Sequence, residues 1–183
     1  AWRWDLGPIR AKSFTDNVVE LMVGKLSRLP GSTQEAMKEL ACLGNSAEAS
    51  KLAIVHGTSQ EELHSELWEA LRLELVVHSE HRYRFVHDRV QEAAYSLVPE
   101  EQRAQEHLRI GRLLTAGIEP DKRDENIFEI VSHLNRGCAL MTSDEDRVEL
   151  ARLNLIAATR ARTAAAYASA LNYLIAGAAL LPE

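Results

Sequence analysis

The segment from Phe85 to Asp88 has the clearest capacity for chemistry in this sequence. An apolar run ends at Phe85-Val86 and helical spacing begins after Asp88, which places His87 and Asp88 at the start of a helix. The free N–H groups and the positive dipole end of a helix favour an anionic group such as phosphate, and an imidazole N–H adds a donor. A local role stays open, since Asp88 suits the first turn of a helix and His87 can satisfy a backbone group.

A metal-dependent hydrolase is a second interpretation, because a His-Asp dyad on a helix is the pattern of HD phosphohydrolases. The further ligands would come from residues that lie in no distinctive motif: His56, His64, His78 or His81 upstream and Asp121, Asp124 or Asp144 downstream. His107 and His133 have apolar neighbours on helical segments, which favours packing or capping. We therefore expect no metal site.

Signatures of a self-contained enzyme are missing from the sequence. It contains no GxxxxGK[ST], GxGxxG or GxSxG, so we expect neither nucleotide binding by this chain alone nor a nucleophile elbow. Cys42 and Cys138 lie far apart with no CxxC, which predicts buried thiols rather than a zinc site or a disulfide. The expectation is a non-enzymatic chain with no cofactor of its own.

Composition predicts a mainly α protein. The 183 residues are 46% hydrophobic but only 5% aromatic, with 9 Gly and 5 Pro, which disfavours a many-stranded sandwich. A net charge of −6 disfavours general binding to nucleic acid or anionic membranes. No apolar run approaches the roughly 20 residues of a membrane span, and no signal segment opens the chain. We expect a cytoplasmic protein that binds neither nucleic acid nor membrane.

Residues 1–30 and 31–116 are predicted to form a strap with a connecting helix and then a winged-helix-like domain. Trp2 and Trp4 alternate in an extended segment, and a helix capped around Thr15 to Asn17 follows. Helices are expected from Ser32, Ala47 and Thr58, then a β-hairpin and two more helices before residue 117. Three helices and a hairpin describe a winged helix.

The helix predicted over Thr58–Leu73 would be the one presented to a DNA major groove in such a domain. It carries Glu61, Glu62, Glu66 and Glu69 against a single Arg72, which opposes phosphate binding. The wing is more basic, with Arg82, Arg84 and Arg89. The expectation remains that duplex DNA is not the ligand.

Residues 117–183 are predicted to stack as antiparallel helices over about 125–135, 144–162 and 164–181. The last helix has the spacing of the second helix of a tetratricopeptide repeat in its residues Tyr167, Ala170, Leu174, Gly177 and Pro182. Generic packing of helical hairpins remains an alternative. On the first interpretation this region begins a TPR-like array whose face is a candidate surface for protein partners.

Several ordered motifs run along essentially the whole chain: Trp4-Asp-Leu6, Thr15 to Met22, Leu40 to Gly44, Tyr83 to Tyr95, His107 to Leu114, Ile127 to Asn135 and Leu150 to Leu155. Together they resemble the region that follows the AAA/STAND-type ATPase module in large bacterial multidomain sensor kinases. In that family a serine/threonine-kinase-like domain precedes the ATPase, and helical repeats, a GAF sensor and a histidine kinase follow.

The resemblance implies that ADP or ATP is bound by an upstream ATPase domain. The implied partners are that domain and downstream GAF and histidine-kinase domains of the same protein. In STAND proteins such as the NOD-like receptors, a Met-His-Asp motif of the winged helix contacts the phosphates of ADP. The segment Phe85 to Asp88 is similar, which makes His87 and Asp88 nucleotide-sensing candidates. Trp2, Trp4 and Arg89 are candidates for interdomain contacts.

The favoured hypothesis is a regulatory segment that couples the nucleotide state of the ATPase to signalling domains. Two other classes stay open. One is a winged-helix transcriptional regulator that binds DNA, and the other is a helical scaffold for protein partners, self-association as a homodimer included.

Overall fold

The computed structural model describes residues 14–181. These residues form two compact units, which divide between Glu100 and Glu101 and are called unit 1 and unit 2 below. Helices dominate both units, and the strands of the described residues all lie in unit 1. The predicted mainly α class with a β-hairpin is confirmed. The predicted strap with Trp2 and Trp4 lies outside the described residues.

Unit 1 begins with two helices and a short strand, continues with three short helices, and closes with a hairpin and a helix. The elements are α1 (Phe14–Leu26), α2 (Gly31–Leu43), β1 (Ser46–Glu48), α3 (Ala49–His56), α4 (Gln60–Glu66), α5 (Trp68–Arg72), β2 (Val76–Ser79), β3 (Arg82–Phe85) and α6 (Asp88–Ser96).

Strand β3 is the middle strand of the sheet that the described residues form, in the order β1-β3-β2 with both pairs antiparallel. Its side chains alternate, so that Tyr83 and Phe85 are buried while Arg82 and Arg84 face outward. The turn from β2 has positive φ at Glu80 and His81, as a two-residue type I′ hairpin requires. The expected hairpin therefore forms, with the turn predicted at Ser79-Glu80-His81.

Two local expectations were wrong in unit 1. A helix was expected from Ala47, but Ala47 lies in strand β1 opposite Tyr83, and helix α3 begins only at Ala49. The helix expected over Thr58–Leu73 is two helices, α4 and α5, that meet at Leu67. The hydroxyl of Thr33 on α2 donates to the carbonyl of Glu66 at 2.6 Å, so a tertiary contact takes the carbonyl that a continuous helix would use.

The core of unit 1 collects side chains from its helices and from the sheet. Its largest fully buried members are Leu26, Met37, Leu40, Leu52, Leu63, Leu67, Tyr83 and Phe85. Helix α6 adds Val90, Ala93 and Ala94. The segment that joins β3 to α6 is thus fixed at both ends by buried residues.

Unit 2 is a succession of helices: α7 (Glu100–Gly117), α8 (Pro120–Arg123), α9 (Ile127–Gly137) with a 3-10 turn over Cys138–Leu140, α10 (Asp144–Thr163) and α11 (Tyr167–Ala178). The hydroxyl of Ser143 accepts the backbone N–H of Asp146 and caps α10, at the start predicted for this helix.

Among residues 14–181, no helix is both long enough and apolar enough to cross a membrane.

Helices α7 and α9 approach each other closely at two glycines. A Cβ on Gly137 would lie 2.5 Å from Cβ of Leu108 and 2.7 Å from the carbonyl oxygen of Ala104, and one on Gly111 would lie 2.7 Å from Cδ2 of Leu134. This packing places α7 in unit 2. The division between the units falls after the first residue of α7, whereas the sequence suggested a boundary after residue 116.

A buried amide pair joins α9 to α10. Asn154 is fully buried, and its amide and that of Asn135 each donate to the other, at 2.9 and 3.0 Å. Asn154 also donates to the carbonyl of Leu150 within its own helix. The polar atoms of Asn154 are therefore bonded where water does not reach.

Replacement of Gly137 by alanine tests the close approach of α7 and α9. The new methyl group would meet backbone atoms, which cannot move aside as a flexible side chain does, so we expect Gly137→Ala to lower the free energy of unfolding by about 1–3 kcal/mol. Urea denaturation followed by helical circular dichroism measures the change.

The matched control is Gly24→Ala, because a Cβ at Gly24 in α1 meets nothing within 4 Å. Alanine is favoured over glycine in helices, so this variant should gain up to about 1 kcal/mol. Equal effects of the two substitutions would contradict the close packing at Gly137.

Candidate functional site

His87 stands at the junction of β3 and α6, on a backbone that the core of unit 1 holds in place. The N–H of Val86 donates to the carbonyl of Leu75, which extends the pairing of the hairpin beyond Phe85. The carbonyl of His87 accepts the N–H of Val90, the first bond of α6. His87 itself is exposed. The fold therefore presents an exposed imidazole from a fixed position.

The ring of His87 caps the helix. Nδ1 accepts the backbone N–H of Arg89 at 3.1 Å, with His87 in an extended conformation at φ −147 and ψ 143. A neutral imidazole that accepts at Nδ1 carries its proton on Nε2. The cap thus sets the tautomer, and the Nε2–H is the ring donor that the cap does not use.

Asp88 and Arg89 complete the turn. Asp88 lies exposed in the first turn of α6, where a carboxylate interacts favourably with the helix dipole. The guanidinium of Arg89 pairs with the carboxylate of Glu92 at 2.5 Å, within the same helix. The sequence singled out His87, Asp88 and Arg89 in this turn. The charge of Arg89 is paired within α6, and one of the two ring nitrogens of His87 is used by the helix cap.

A second titratable cluster joins three helices of unit 1. Nδ1 of His56 lies 2.5 Å from Oε2 of Glu39, and Nε2 lies 2.5 Å from Oε2 of Glu66. Carboxylates only accept hydrogen bonds, so both ring nitrogens must carry protons. Burial disfavours that charge, but the bonds and charges of Glu39 and Glu66 outweigh it and raise the pKa of His56. The half-buried imidazole of His56 is therefore held as a cation between two carboxylates.

Two further histidines of unit 1, His64 and His78, contact Tyr83. Nδ1 of His64 lies 2.9 Å from the Tyr83 hydroxyl, and the ring of His78 stacks on that of Tyr83 at 4.4 Å. Burial, followed by the nearby His64 and His81, lowers the pKa of His78, and burial raises the pKa of Tyr83.

The ligands considered for a metal-dependent hydrolase are divided between the two units, with His87 and the other candidate histidines in unit 1. Asp124 and Asp144 belong to unit 2, and the side chain of Asp121 lies outside the described residues. Within residues 14–181, no group of three or more His, Cys, Asp and Glu side chains is arranged to hold a metal ion.

Unit 2 contains a buried pair of neutral histidines. Nδ1 of His107 and Nδ1 of His133 are 2.9 Å apart, and Nη1 of Arg136 lies 3.2 Å from Nε2 of His107. Arg136 can only donate, so His107 accepts from it and donates to His133. Burial is the main cause that lowers each pKa to about 4, with the charge of Arg136 contributing. Sequence reasoning assigned both residues to packing or capping but did not foresee that they meet.

One curated protein is similar to most of this chain. The hybrid signal transduction histidine kinase G of Dictyostelium discoideum is 28% identical over 91% of the chain, and the match spans 6% of that kinase. The predicted likeness to sensor histidine kinases is supported by this relative, which comes from a eukaryote rather than a bacterium. No family model matches the chain. No solved structure matches it.

The ion cluster in unit 1 predicts that stability falls with rising pH. Because the pKa of His56 is raised, its contribution is complete below the unfolded value of about 6.5 and disappears as pH rises through the native pKa. We expect His56→Gln to lower the free energy of unfolding by about 2 kcal/mol at pH 6 and by less at higher pH.

Urea denaturation of wild type and variant, followed by circular dichroism at pH 6 and at pH 9, measures this change. A difference between wild type and variant that stays constant or grows from pH 6 to pH 9 would show that His56 is not a native cation.

The histidine pair in unit 2 predicts the opposite dependence. Its folded pKa values near 4 lie below the unfolded value of about 6.5, so the unfolded chain binds more protons between these limits and stability falls as pH drops from 6.5 to 4. A double variant, His107→Leu with His133→Leu, should lose part of this acid sensitivity. Urea midpoints from circular dichroism at pH 7 and pH 4.5 measure it, and identical pH dependences would count against the neutral pair.

Proposed function

We propose that this chain is a non-catalytic regulatory segment of a signal-transduction histidine kinase. Its similarity to a segment of a hybrid histidine kinase supports that context, and since the match spans 6% of the relative, the activity of the whole protein is part of the proposal. The observation that carries the proposal is the exposed His87, which lies between strand β3 and helix α6, both anchored by buried side chains, with its Nε2–H outside the cap.

The two units support the roles suggested by the sequence. The proposal takes unit 1, with its order of α2, β1, α3, α4, β2 and β3, as a winged helix, and it takes the successive helices of unit 2 as the start of a TPR-like region. In the proposed protein, which acts in the cytoplasm, the winged helix closes on a preceding STAND-type ATPase module. The repeats connect it to GAF and histidine-kinase domains.

The nucleotide is bound by the preceding module, and this chain senses it. The Nε2–H of His87 donates to a phosphate oxygen of ADP, and the N-terminus of α6 adds a favourable dipole. The carboxylate of Asp88 lies in the same turn, and its negative charge repels the additional phosphate group that ATP would bring to this position. ADP therefore stabilises the closed form more than ATP does, and such differential affinity is what a nucleotide switch needs.

A transcriptional regulator is the weaker candidate. The helices α4 and α5 carry exposed carboxylates at Glu61 and Glu62, and Glu62 is committed to a capping box with Ser59. The cation at Arg72 is paired with Glu69 on its own helix. This surface lacks the free positive charge that a DNA backbone requires.

The substitution His87→Asn separates capping from nucleotide sensing. Asparagine is among the best helix caps, so α6 should stay intact, but its shorter side chain has no imidazole N–H to reach a phosphate. In the longer protein that includes the ATPase module, we expect ADP to dissociate about tenfold faster, the loss of one hydrogen bond to a charged group. Stopped-flow release of a fluorescent ADP analogue measures the rate.

The control is His81→Asn, at an exposed histidine in the hairpin turn whose positive φ asparagine tolerates. Release from this variant should match wild type. If His87→Asn keeps its thermal midpoint and releases ADP at the wild-type rate, His87 is a structural cap and the sensing role is wrong.

A further inference from the structure

Unit 1 contains a cleft between the end of helix α1 and the segment that leads from helix α5 to strand β2. Side chains from residues 25–30 line one side, and side chains from residues 69–75 line the other. The volume of the cleft is about 530 Å³, within the range of about 300–1,000 Å³ that is common for sites of small ligands. All of its lining residues belong to unit 1, so the cleft lies within one compact body.

The cleft has fixed apolar walls. Leu29 and Leu75 are only 8% and 6% exposed and belong to the core of unit 1. The side-chain amide of Gln34 donates to the carbonyl of Leu29 at 2.8 Å, and the N–H of Leu75 donates to the carbonyl of Ala70 at 2.9 Å. Leu73, which is 49% exposed, adds an apolar side chain that a ligand can cover. These walls suit the apolar part of a ligand and are already in place to receive it.

The charges that line the cleft are mostly positive. They are three cations, Lys25, Arg28 and Arg72, and one carboxylate, that of Glu69. The guanidinium of Arg72 already holds this carboxylate, with Nη2 at 2.7 Å and Nε at 3.2 Å from Oε2. Lys25 and Arg28 are exposed and form no ion pair or side-chain hydrogen bond within residues 14–181. The lining therefore has a positive excess in a chain whose net charge is −6, and it favours an anion.

Two other occupants fit the cleft poorly. Residues 1–13 precede α1 and carry Arg3, Arg10 and Lys12 against Asp5, so their own positive excess disfavours them beside a positive cleft. An apolar surface of a second copy would cover the leucines, but it would take the cations of the cleft out of water without a counter-ion. A ligand that satisfies both features needs a negative group and an apolar body.

We propose that this cleft binds a small amphipathic anion, whose carboxylate or phosphate lies at Lys25 and Arg28 and whose apolar body packs on Leu29, Leu73 and Leu75. The guanidinium of Arg28 offers two parallel N–H donors to such a group, and the ammonium of Lys25 adds a second positive charge. The ligand bridges the end of α1 and the segment after α5, so it holds these two parts of unit 1 together. The proposal does not rest on the role of His87.

Titration of the full chain with octanoate, followed by two-dimensional proton–nitrogen NMR, tests the site. We expect saturable shifts of the backbone amides of Leu29, Leu73 and Leu75, with a dissociation constant of about 1 mM or below. Octyl phosphate, which has the same chain, shows which anionic group binds more tightly, and either order agrees with the proposal. Octan-1-ol lacks the charge and acetate lacks the chain, so each should bind at least about tenfold more weakly.

Neutral substitutions test the two cations without adding a negative charge. The double variant Lys25→Gln with Arg28→Gln keeps residues of good helix propensity, and we expect it to weaken octanoate binding at least about tenfold, because charge-assisted hydrogen bonds are lost. The matched control is Arg84→Gln. Arg84 is exposed on the outer face of β3, in unit 1 but outside the cleft, so this variant should bind octanoate as wild type does. Thermal midpoints that match wild type show that both variants are folded.

Four outcomes would overturn the proposal. They are no shift at the cleft in up to about 10 mM octanoate, shifts confined to unit 2, octan-1-ol that binds as tightly as octanoate, and a folded double variant that binds octanoate as wild type does. A last titration uses a peptide of alternating leucine and glutamate. If this peptide shifts the three amides and octanoate does not, the cleft is a docking surface for an acidic protein segment and the small-ligand site is wrong.

Discussion

The packing of unit 1 depends on strand β3. Both edges of this strand are hydrogen-bonded, to β1 on one side and β2 on the other, and its two inward side chains, Tyr83 and Phe85, are among the largest fully buried groups of the molecule. A one-residue shift in register would turn both aromatic rings to the solvent and bring Arg82 and Arg84 into the core. Because β3 ends two residues before His87, the same register fixes where the imidazole stands.

Polar contacts between distant segments add specificity to this apolar framework. The cluster of Glu39, His56 and Glu66 joins α2, α3 and α4, and Thr33 bonds the carbonyl of Glu66 at the point where α4 ends. An ion that is partly removed from water is costly without its partners, so an arrangement of the helices that separated these groups would be disfavoured. The cluster therefore selects one packing of the three helices, and it does so with a cation whose charge depends on pH.

The features that could be predicted from the sequence are those with local causes. The hairpin follows from two apolar runs around a turn, and the start of α10 follows from the cap at Ser143. Strand β1 could not be predicted, because Ser46-Ala47-Glu48 has little strand propensity and is extended only through its pairing with β3.

The side-chain clusters escaped prediction for a related reason. His56 meets Glu39 across 17 positions of the chain, and His107 meets His133 across 26. Neither distance is a motif, since only the tertiary fold brings the partners together. At the candidate site, the sequence predicted that His87 lies at the start of a helix. That its Nδ1 accepts the N–H of Arg89 is visible only in the structure.

The reciprocal amide bonds of Asn135 and Asn154 have a mechanical consequence. If α9 slid along α10 by one residue, both bonds would break together, and the side-chain oxygen of the buried Asn154 would lose its donor. Sliding is therefore discouraged far more than tilting the two helices as one piece. A displacement of one end of α9 and α10 would therefore move the two helices together as a rigid body.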